Sequence, residues 1–244
     1  MSVFKLKYKP YGERSILIEW PSEISRKVLL DVQLYKEKLK IHLIKDKVYI
    51  KHAYNSILIT YDITINNFYH EVSTLKDLYL TNLVNSNSIS RLWKIPVCYN
   101  VEFGLDLEEI STKNGVDISE IITLHTNRLY DVYFLGFLPG FLYLGGLDKQ
   151  LFFPRKETPR LKVEVGSVAI GASQTGIYPT QSPGGWNIIG KTPIKLFDIN
   201  EENPCFAKAG DKIKFISVSK TEYDQILEKV KQKTYILKSE VIND

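Results

Sequence analysis

The chain has 244 residues, which is enough for one domain or two with a substantial core. Its composition, 44% hydrophobic and 25% charged, is ordinary for a globular protein. The formal net charge of +4 is small, and the sequence has no dense basic stripe of the kind that nucleic-acid-binding proteins carry. We therefore expect no nucleic-acid partner.

Cysteine and histidine usage indicates the compartment. Cys98 and Cys205 have no metal-ligand spacing between them or with the four histidines, which argues against a zinc site and for a reducing compartment. The N-terminus lacks the apolar core of a signal peptide. The nearly uncharged run 130–147 contains Asp131, Pro139 and four glycines, so a membrane-spanning helix there is not expected. We therefore expect a cytoplasmic protein that binds no metal and no membrane.

The first third of the chain predicts a small α+β domain over residues 1–84. Period-2 alternation predicts strands at residues 3–8, 15–20, 48–50 and 57–61. A helix is predicted to begin after Ser22 as its N-cap, and a second after Ser73, continuing to about Leu83. In such a unit the helices cover one face of the sheet.

The polar segment 85–92 is predicted to be a linker, with a second domain over 93–244. In that domain we predict a strand at 93–98, helices at 105–113 and 118–129, and a C-terminal helix. Asp117 with Glu120, and Ser219 with Glu222, have the capping-box spacing.

The segment from Gly136 to Gly190 holds most of the fourteen glycines and bends every few residues. Glycine permits positive φ and close backbone approach, and proline presets turns. Short apolar runs between such bends are typical of a closed or sandwich-like β domain. Polar residues on its loops are the places to look for function.

One motif in this segment has the sequence pattern of a nucleotide-binding P-loop. Residues 185–192 match G-x-x-x-x-G-K-[ST] letter by letter. A P-loop needs a strand before it and a helix after it, so that backbone N–H groups and the helix N-terminus hold phosphate. Here Pro193 follows the motif and residues 194–198 alternate as a strand. We therefore predict that the motif is a strand and binds no nucleotide.

Two arginines and one histidine are the strongest candidates for chemistry. Arg155 and Arg160 each follow a proline, and guanidinium groups on short rigid loops suit a carboxylate or a phosphate. The alternative is that both form ordinary surface ion pairs. His125, the only histidine of the second domain, could act as a general acid or base, or could be a structural residue of its helix.

The remaining candidates lie on the glycine- and proline-rich loops, and they suit a ligand groove and a protein interface equally well. The candidate catalytic residues are His125, Arg155, Arg160 and Gln174, and the candidate substrate-binding residues are Thr175, Tyr178, Ser182 and Trp186.

A long, ordered set of motifs carries a resemblance to a known family. The motifs are the run 130–147, Pro154-Arg155, Thr158-Pro-Arg160, Gly166-Ser-Val168, 174–179 and 182–186, preceded by 95–99, Glu102-Phe-Gly104, Asp106-Leu107 and His125-Thr126. They resemble the family called allophanate hydrolase subunit 1, KipI or the B subunit of 5-oxoprolinase. The resemblance is strong over about 93–215 and weaker over 1–84. Where the family usually has a proline the chain has Glu164, and where it has glycines the chain has Val101 and Ala172.

The resemblance implies an α+β N-terminal domain followed by a mainly β, cyclophilin-like barrel domain. It implies the B subunit of a bacterial ATP-dependent 5-oxoprolinase, which opens 5-oxoproline to glutamate together with an A subunit and a KipA-like C subunit. ATP would then be used on another subunit, with no cofactor on this chain, and the isolated chain would be inactive. The alternative is a KipI-type inhibitor of a sporulation-type histidine kinase.

Within the enzyme, Arg155 and Arg160 would hold the substrate carboxylate or a phosphorylated intermediate. His125, Gln174 and Tyr178 would lie near the reacting lactam. The isomerase activity of true cyclophilins is not implied, because a shared fold does not determine function.

Overall fold

The computed structural model describes residues 4–43, 48–81 and 90–242. They belong to two compact units, Met1–Ser88 and Ile89–Asp244. Most of the predicted linker, 85–92, lies outside the described residues. Its last residues are not linker, because a strand already begins at Ser90.

The first unit is a four-stranded antiparallel sheet covered by two helices. Its elements are β1 (Lys7–Pro10), β2 (Ser15–Glu19), α1 (Arg26–His42), β3 (Tyr49–His52), β4 (Ser56–Thr60) and α2 (Phe68–Leu80). The strand order is β1-β2-β4-β3. Alternate residues such as Ile16 and Ile18 share one buried cluster with Val28 and Val32 of α1. The predicted α+β character of this unit is confirmed.

Both helices of this unit begin elsewhere than predicted. Ser25, and not Ser22, is the N-cap of α1, and its hydroxyl accepts a backbone N–H at 3.3 Å. Asn67 caps α2 by accepting a backbone N–H at 3.1 Å, whereas Ser73 lies within that helix. Several polar residues precede each helix, and any of them has the chemistry of a cap.

The second unit is mainly β. Its elements are β5 (Ser90–Val97), α3 (Leu107–Asn114), α4 (Ile118–Thr126), β6 (Tyr130–Leu135), β7 (Leu142–Gly145), a 3-10 turn (Lys149–Leu151), β8 (Arg160–Val163), β9 (Ser167–Gly171), β10 (Gln174–Ile177), β11 (Ser182–Gly184), β12 (Asn187–Lys191), β13 (Lys212–Ser217), α5 (Lys220–Lys231) and β14 (Ser239–Ile242). Eight strands form one sheet in the order β12-β9-β10-β7-β6-β13-β5-β14, and β8 pairs with β11 in a separate ribbon.

A closed, cyclophilin-like barrel is not confirmed. The eight-stranded sheet has β12 and β14 as its outer strands, and no ladder joins them among the described residues. A single bridge links Cys98, just beyond β5, to Lys191 at the end of β12. Its two backbone hydrogen bonds are both 2.9 Å long.

Three local predictions in this unit have different outcomes. The capping box of Ser219 and Glu222 is present at the start of α5, as predicted. Asp117 precedes α4 but its side chain makes no capping hydrogen bond. The strand predicted at 194–198 does not form: residues 193–196 have no regular structure, and only an isolated bridge, between Phe197 and Cys205, occurs there.

The eight-stranded sheet buries side chains on both faces. One face shares the main core with α3 and α4, including Leu107, Ile121 and Ile170. The opposite face carries a smaller cluster that is rich in aromatic residues. Within the described ranges, no helix has the length and apolar composition needed to cross a membrane.

Candidate functional site

The two faces of the sheet separate the predicted site residues. Successive side chains of a strand point to opposite faces. Along β10 and just beyond it, Thr175 contacts His125 in the main core, whereas Tyr178 belongs to the aromatic cluster with Trp186. Gln174 is four residues before Tyr178, and because side chains alternate along a strand this even spacing places both on the same face. The candidates thus form two groups rather than one site.

His125 lies in a fully satisfied buried network. Its Nδ1 is 2.7 Å from the Tyr99 hydroxyl, and its Nε2 is 2.9 Å from the Thr175 hydroxyl. The Thr175 hydroxyl donates its own proton to the carbonyl oxygen of Ala169 at 3.0 Å. Nε2 must therefore donate to Thr175, and Nδ1 accepts from Tyr99. The imidazole also stacks on Phe215, with the ring centroids 4.5 Å apart.

This environment favours the structural alternative for His125 over a role as general acid or base. The side chain is 0% exposed, and burial lowers its pKa to about 3, so it is neutral at pH 7. A catalytic base must reach the proton it removes. Both ring nitrogens are occupied by Tyr99 and Thr175. We assign His125 and Thr175 to the core.

The opposite face presents a group of rings that we call the aromatic face: Phe141, Tyr143, Tyr178 and Trp186. The Phe141 ring meets those of Tyr178 and Trp186 edge to face, each at a centroid distance of 5.6 Å. It lies 4.9 Å from the Tyr143 ring in a tilted arrangement. Offset and edge-to-face pairs of this kind stabilise a rigid cluster.

Glycines beneath these rings explain part of the glycine-rich pattern. A Cβ atom at Gly171 would lie 2.6 Å from three atoms of the Trp186 indole. A Cβ atom at Gly184 would overlap the Tyr178 hydroxyl. Only glycine allows the rings to approach the backbone this closely.

Arg155 lies over the aromatic face. Its guanidinium is 5.5 Å from the centroid of the Trp186 ring, and the residue is exposed. Within the described residues it takes part in no ion pair. Burial raises the pKa of Tyr143 and of Tyr178, and the Arg155 charge opposes both shifts. Arg155 therefore offers its donors to an anionic ligand beside two tyrosines.

Arg160 is bound differently, by Asp106, which belongs to a family motif but was not among the candidate site residues. Its Nη2 is 2.7 Å from Oδ1 of Asp106, and the Lys156 ammonium is 2.8 Å from the same oxygen. The other carboxylate oxygen of Asp106 accepts the backbone N–H of Ile188 at 2.6 Å. Arg160 Nη1 is buried and has no hydrogen-bond partner in the described part of the chain. One indication of such a partner is present in the sequence: Arg155, Lys156 and Arg160 are closely spaced cations that need a nearby carboxylate.

Two further candidates lie near the aromatic face without a defined role. Gln174 is half-buried, and no hydrogen bond of its side chain occurs among the described residues. Ser182 is buried in β11, and its hydroxyl donates to the carbonyl of Pro183.

The P-loop-like motif is a strand, as predicted. Residues 187–191 form β12, and no helix follows Pro193 in the stretch that would have to hold phosphate. In the ranges that the structure describes, no group of three or more His, Cys, Asp or Glu side chains is placed to hold a metal ion.

Comparisons with a family model and with curated proteins agree with one another. Residues 6–207 match the family described as carboxyltransferase domain, subdomain C and D. The chain is 37% identical to the B subunit of 5-oxoprolinase from Haemophilus influenzae over 85% of this chain and 95% of that protein. It is 50% identical to the B subunit of 5-oxoprolinase from Bacillus subtilis, but that match spans 54% of this chain and 55% of the relative.

A solved structure supports the fold. Urea amidolyase of K. lactis superposes with a TM-score of 0.82 over 98% of this chain and 16% of that one. At 20% identity this likeness concerns the fold alone.

Proposed function

The chain belongs to the carboxyltransferase domain, subdomain C and D family, and from this membership we propose that it acts as the B subunit of an ATP-dependent 5-oxoprolinase. The observation that carries the proposal is the 37% identity across 95% of the corresponding 5-oxoprolinase component of Haemophilus influenzae. The reaction is the hydrolytic opening of 5-oxoproline to glutamate. An A subunit and a KipA-like C subunit are the partners in this proposal, and the isolated chain is inactive.

Arg155 binds the substrate carboxylate in this proposal. The carboxylate of 5-oxoproline matches the planar fork of a guanidinium, and such charge-assisted pairs are stronger than neutral hydrogen bonds. Arg155 is preferred to Arg160 because Arg160 is already paired with Asp106 at 2.7 Å. Stacking over Trp186 restricts the guanidinium and presents it in one orientation.

Tyr178 and Gln174 meet the lactam in this proposal. Burial raises the pKa of Tyr178, so its hydroxyl is protonated at neutral pH and can donate a hydrogen bond. Gln174 supplies both a donor and an acceptor on the same face. Donors aimed at the lactam carbonyl stabilise the negative charge that develops on its oxygen during attack.

ATP is bound by another subunit in this account, which agrees with the strand conformation of the P-loop-like motif. The likeness of the second unit to a cyclophilin-type barrel also remains a proposal, and the bridge between Cys98 and Lys191 supports it. No observation favours the alternative that the chain inhibits a histidine kinase.

The test is the KM for 5-oxoproline of a complex assembled from this chain with the A and C subunits. A charge-assisted hydrogen bond contributes about 1.5–3 kcal/mol, so we expect Arg155→Ala to raise KM by roughly 10- to 150-fold. Arg91→Ala is the matched control, since Arg91 also lies over an indole ring, that of Trp93, at 5.9 Å. Equal KM values for the two variants would refute the assignment of Arg155.

A further inference from the structure

The segment 154–160, which we call the arginine loop, has little regular structure but is tied down on both sides of Arg155. The side-chain amide of Asn187 donates to the Pro154 carbonyl at 2.8 Å. The backbone N–H of Lys156 donates to the Gly185 carbonyl at 2.8 Å. These contacts place the backbone of the loop against the start of β12.

Asp106 binds the side chains of the same loop. It lies just before α3, more than 45 residues away in sequence, and is 3% exposed. It accepts from Lys156 at 2.8 Å and from Arg160 at 2.7 Å. The backbone N–H of Ile188 in β12, at 2.6 Å, orients the carboxylate toward them. Asp106 therefore binds the other two cations of the loop, and Glu109 is a second partner of Lys156 at 3.0 Å.

Without the Asp106 charge the two cations are affected differently. Arg160 is 27% exposed and forms no other ion pair among the described residues, and a partly buried cation that loses its partner is strongly destabilised. Lys156 is 20% exposed and keeps Glu109, at 3.0 Å, as its remaining partner. Arg160 would turn toward solvent, displace the loop and compete with Arg155 for an anion.

We propose that Asp106 is a positioning residue for Arg155: it holds Lys156 and Arg160 so that Arg155 alone of these cations faces a ligand on the aromatic face. The inference rests on the proposed function only where substrate binding is the readout. The alternative is that Asp106 contributes to stability alone.

A double-mutant cycle in the assembled complex separates the two. We expect Asp106→Asn to raise the KM for 5-oxoproline by about tenfold with little change in kcat, and to have no further effect on KM when Arg155 is already alanine. Asp148→Asn is the control, because Asp148 is an ion-paired carboxylate that binds Arg128 instead of the arginine loop. A similar rise in KM with and without Arg155, or no rise, would overturn the proposal.

Hydrogen exchange of the full-length chain tests the inference without any activity. Asp106→Asn should increase exchange at the Lys156 amide much more than within β9, a strand whose residues are all buried and which reports on the stability of the whole unit. Equal increases would indicate a purely structural role. If Arg155→Ala leaves KM unchanged, the proposed function of the site fails while this exchange result still decides the role of Asp106. Should Asp106→Asn not fold, Lys156→Met removes one contact of Asp106 with the loop and keeps the Asp106–Arg160 pair. A rise in KM that disappears when Arg155 is alanine would then support the proposal, and a similar rise in both backgrounds, or no rise, would overturn it.

Discussion

Gly171→Ala is the sharpest structural test of the aromatic face. The new Cβ would lie 2.6 Å from the Trp186 indole, whereas ordinary contacts begin at 3.4 Å, so the ring must move by about 0.8 Å (3.4 − 2.6). Trp186 is 5% exposed and is packed against Phe141, which leaves little room for that movement. Overpacking of this kind costs about 1–3 kcal/mol, which corresponds to a Tm lower by roughly 2–12 °C.

Thermal unfolding followed by circular dichroism measures this effect, with Gly185→Ala as the control. A Cβ at Gly185 has no neighbour closer than 3.6 Å, and that residue does not have a left-handed φ. We expect Gly171→Ala to lower the Tm and to raise the KM for 5-oxoproline, because Arg155 rests on the displaced ring. If the two variants unfold at the same temperature, the indole is not pressed against β9 and the described geometry of the face is wrong.

Three further outcomes are expected. Burial lowers the folded-state pKa of His125 to about 3, below its ordinary 6.5, so the unfolded chain binds the proton first as the pH falls. The stability that this residue contributes is therefore complete above about pH 6.5 and is lost toward pH 3. From pH 7 to 5 the loss is ~2 kcal/mol, and denaturant unfolding should show a shallower decline for His125→Gln; an equal slope would contradict the burial argument. Ala172 has a left-handed backbone with φ 55°, which glycine adopts without strain, so Ala172→Gly should stabilise the unit by about 1 kcal/mol in the same assay. A loss of stability would show that the left-handed turn costs nothing. Lys191→Ala should leave the KM for ATP of the assembled complex unchanged, because Lys191 ends a strand and not a phosphate loop; a large rise would reinstate a nucleotide site.

Alternation predicts some strands correctly, although not the one expected at 194–198. The pattern predicts a strand at 57–61, and the structure has β4 at Ser56–Thr60. The helix starts are less predictable, because Ser22 and Ser25 have the same capping chemistry and only the fold selects between them. At Ala172 the resemblance expects glycine, and the backbone there is left-handed, so the family pattern identifies a real turn.

The candidate site is predictable in its parts but not in its assembly. Prolines and glycines draw attention to Arg155, Arg160 and Tyr178 because such loops often carry function. The different roles of the two arginines depend on Asp106, which is 54 residues from Arg160 and 82 from Ile188 in sequence. Contacts across such separations leave no local pattern, and this is why the sequence alone does not reveal the role of Asp106.

The burial of His125 is equally hidden. A histidine on an amphipathic helix has the same sequence appearance whether it faces a pocket or the core. Its partners, Tyr99 and Thr175, lie 26 and 50 residues away and come from different elements. Only the fold shows that both ring nitrogens are already bonded.

The central claim, that this chain is a required component of a 5-oxoprolinase, is tested most directly by omission. The A and C subunits would be assayed for ATP-dependent release of glutamate from 5-oxoproline, with and without this chain. We expect glutamate only when the chain is present. Equal release in its absence would contradict the account.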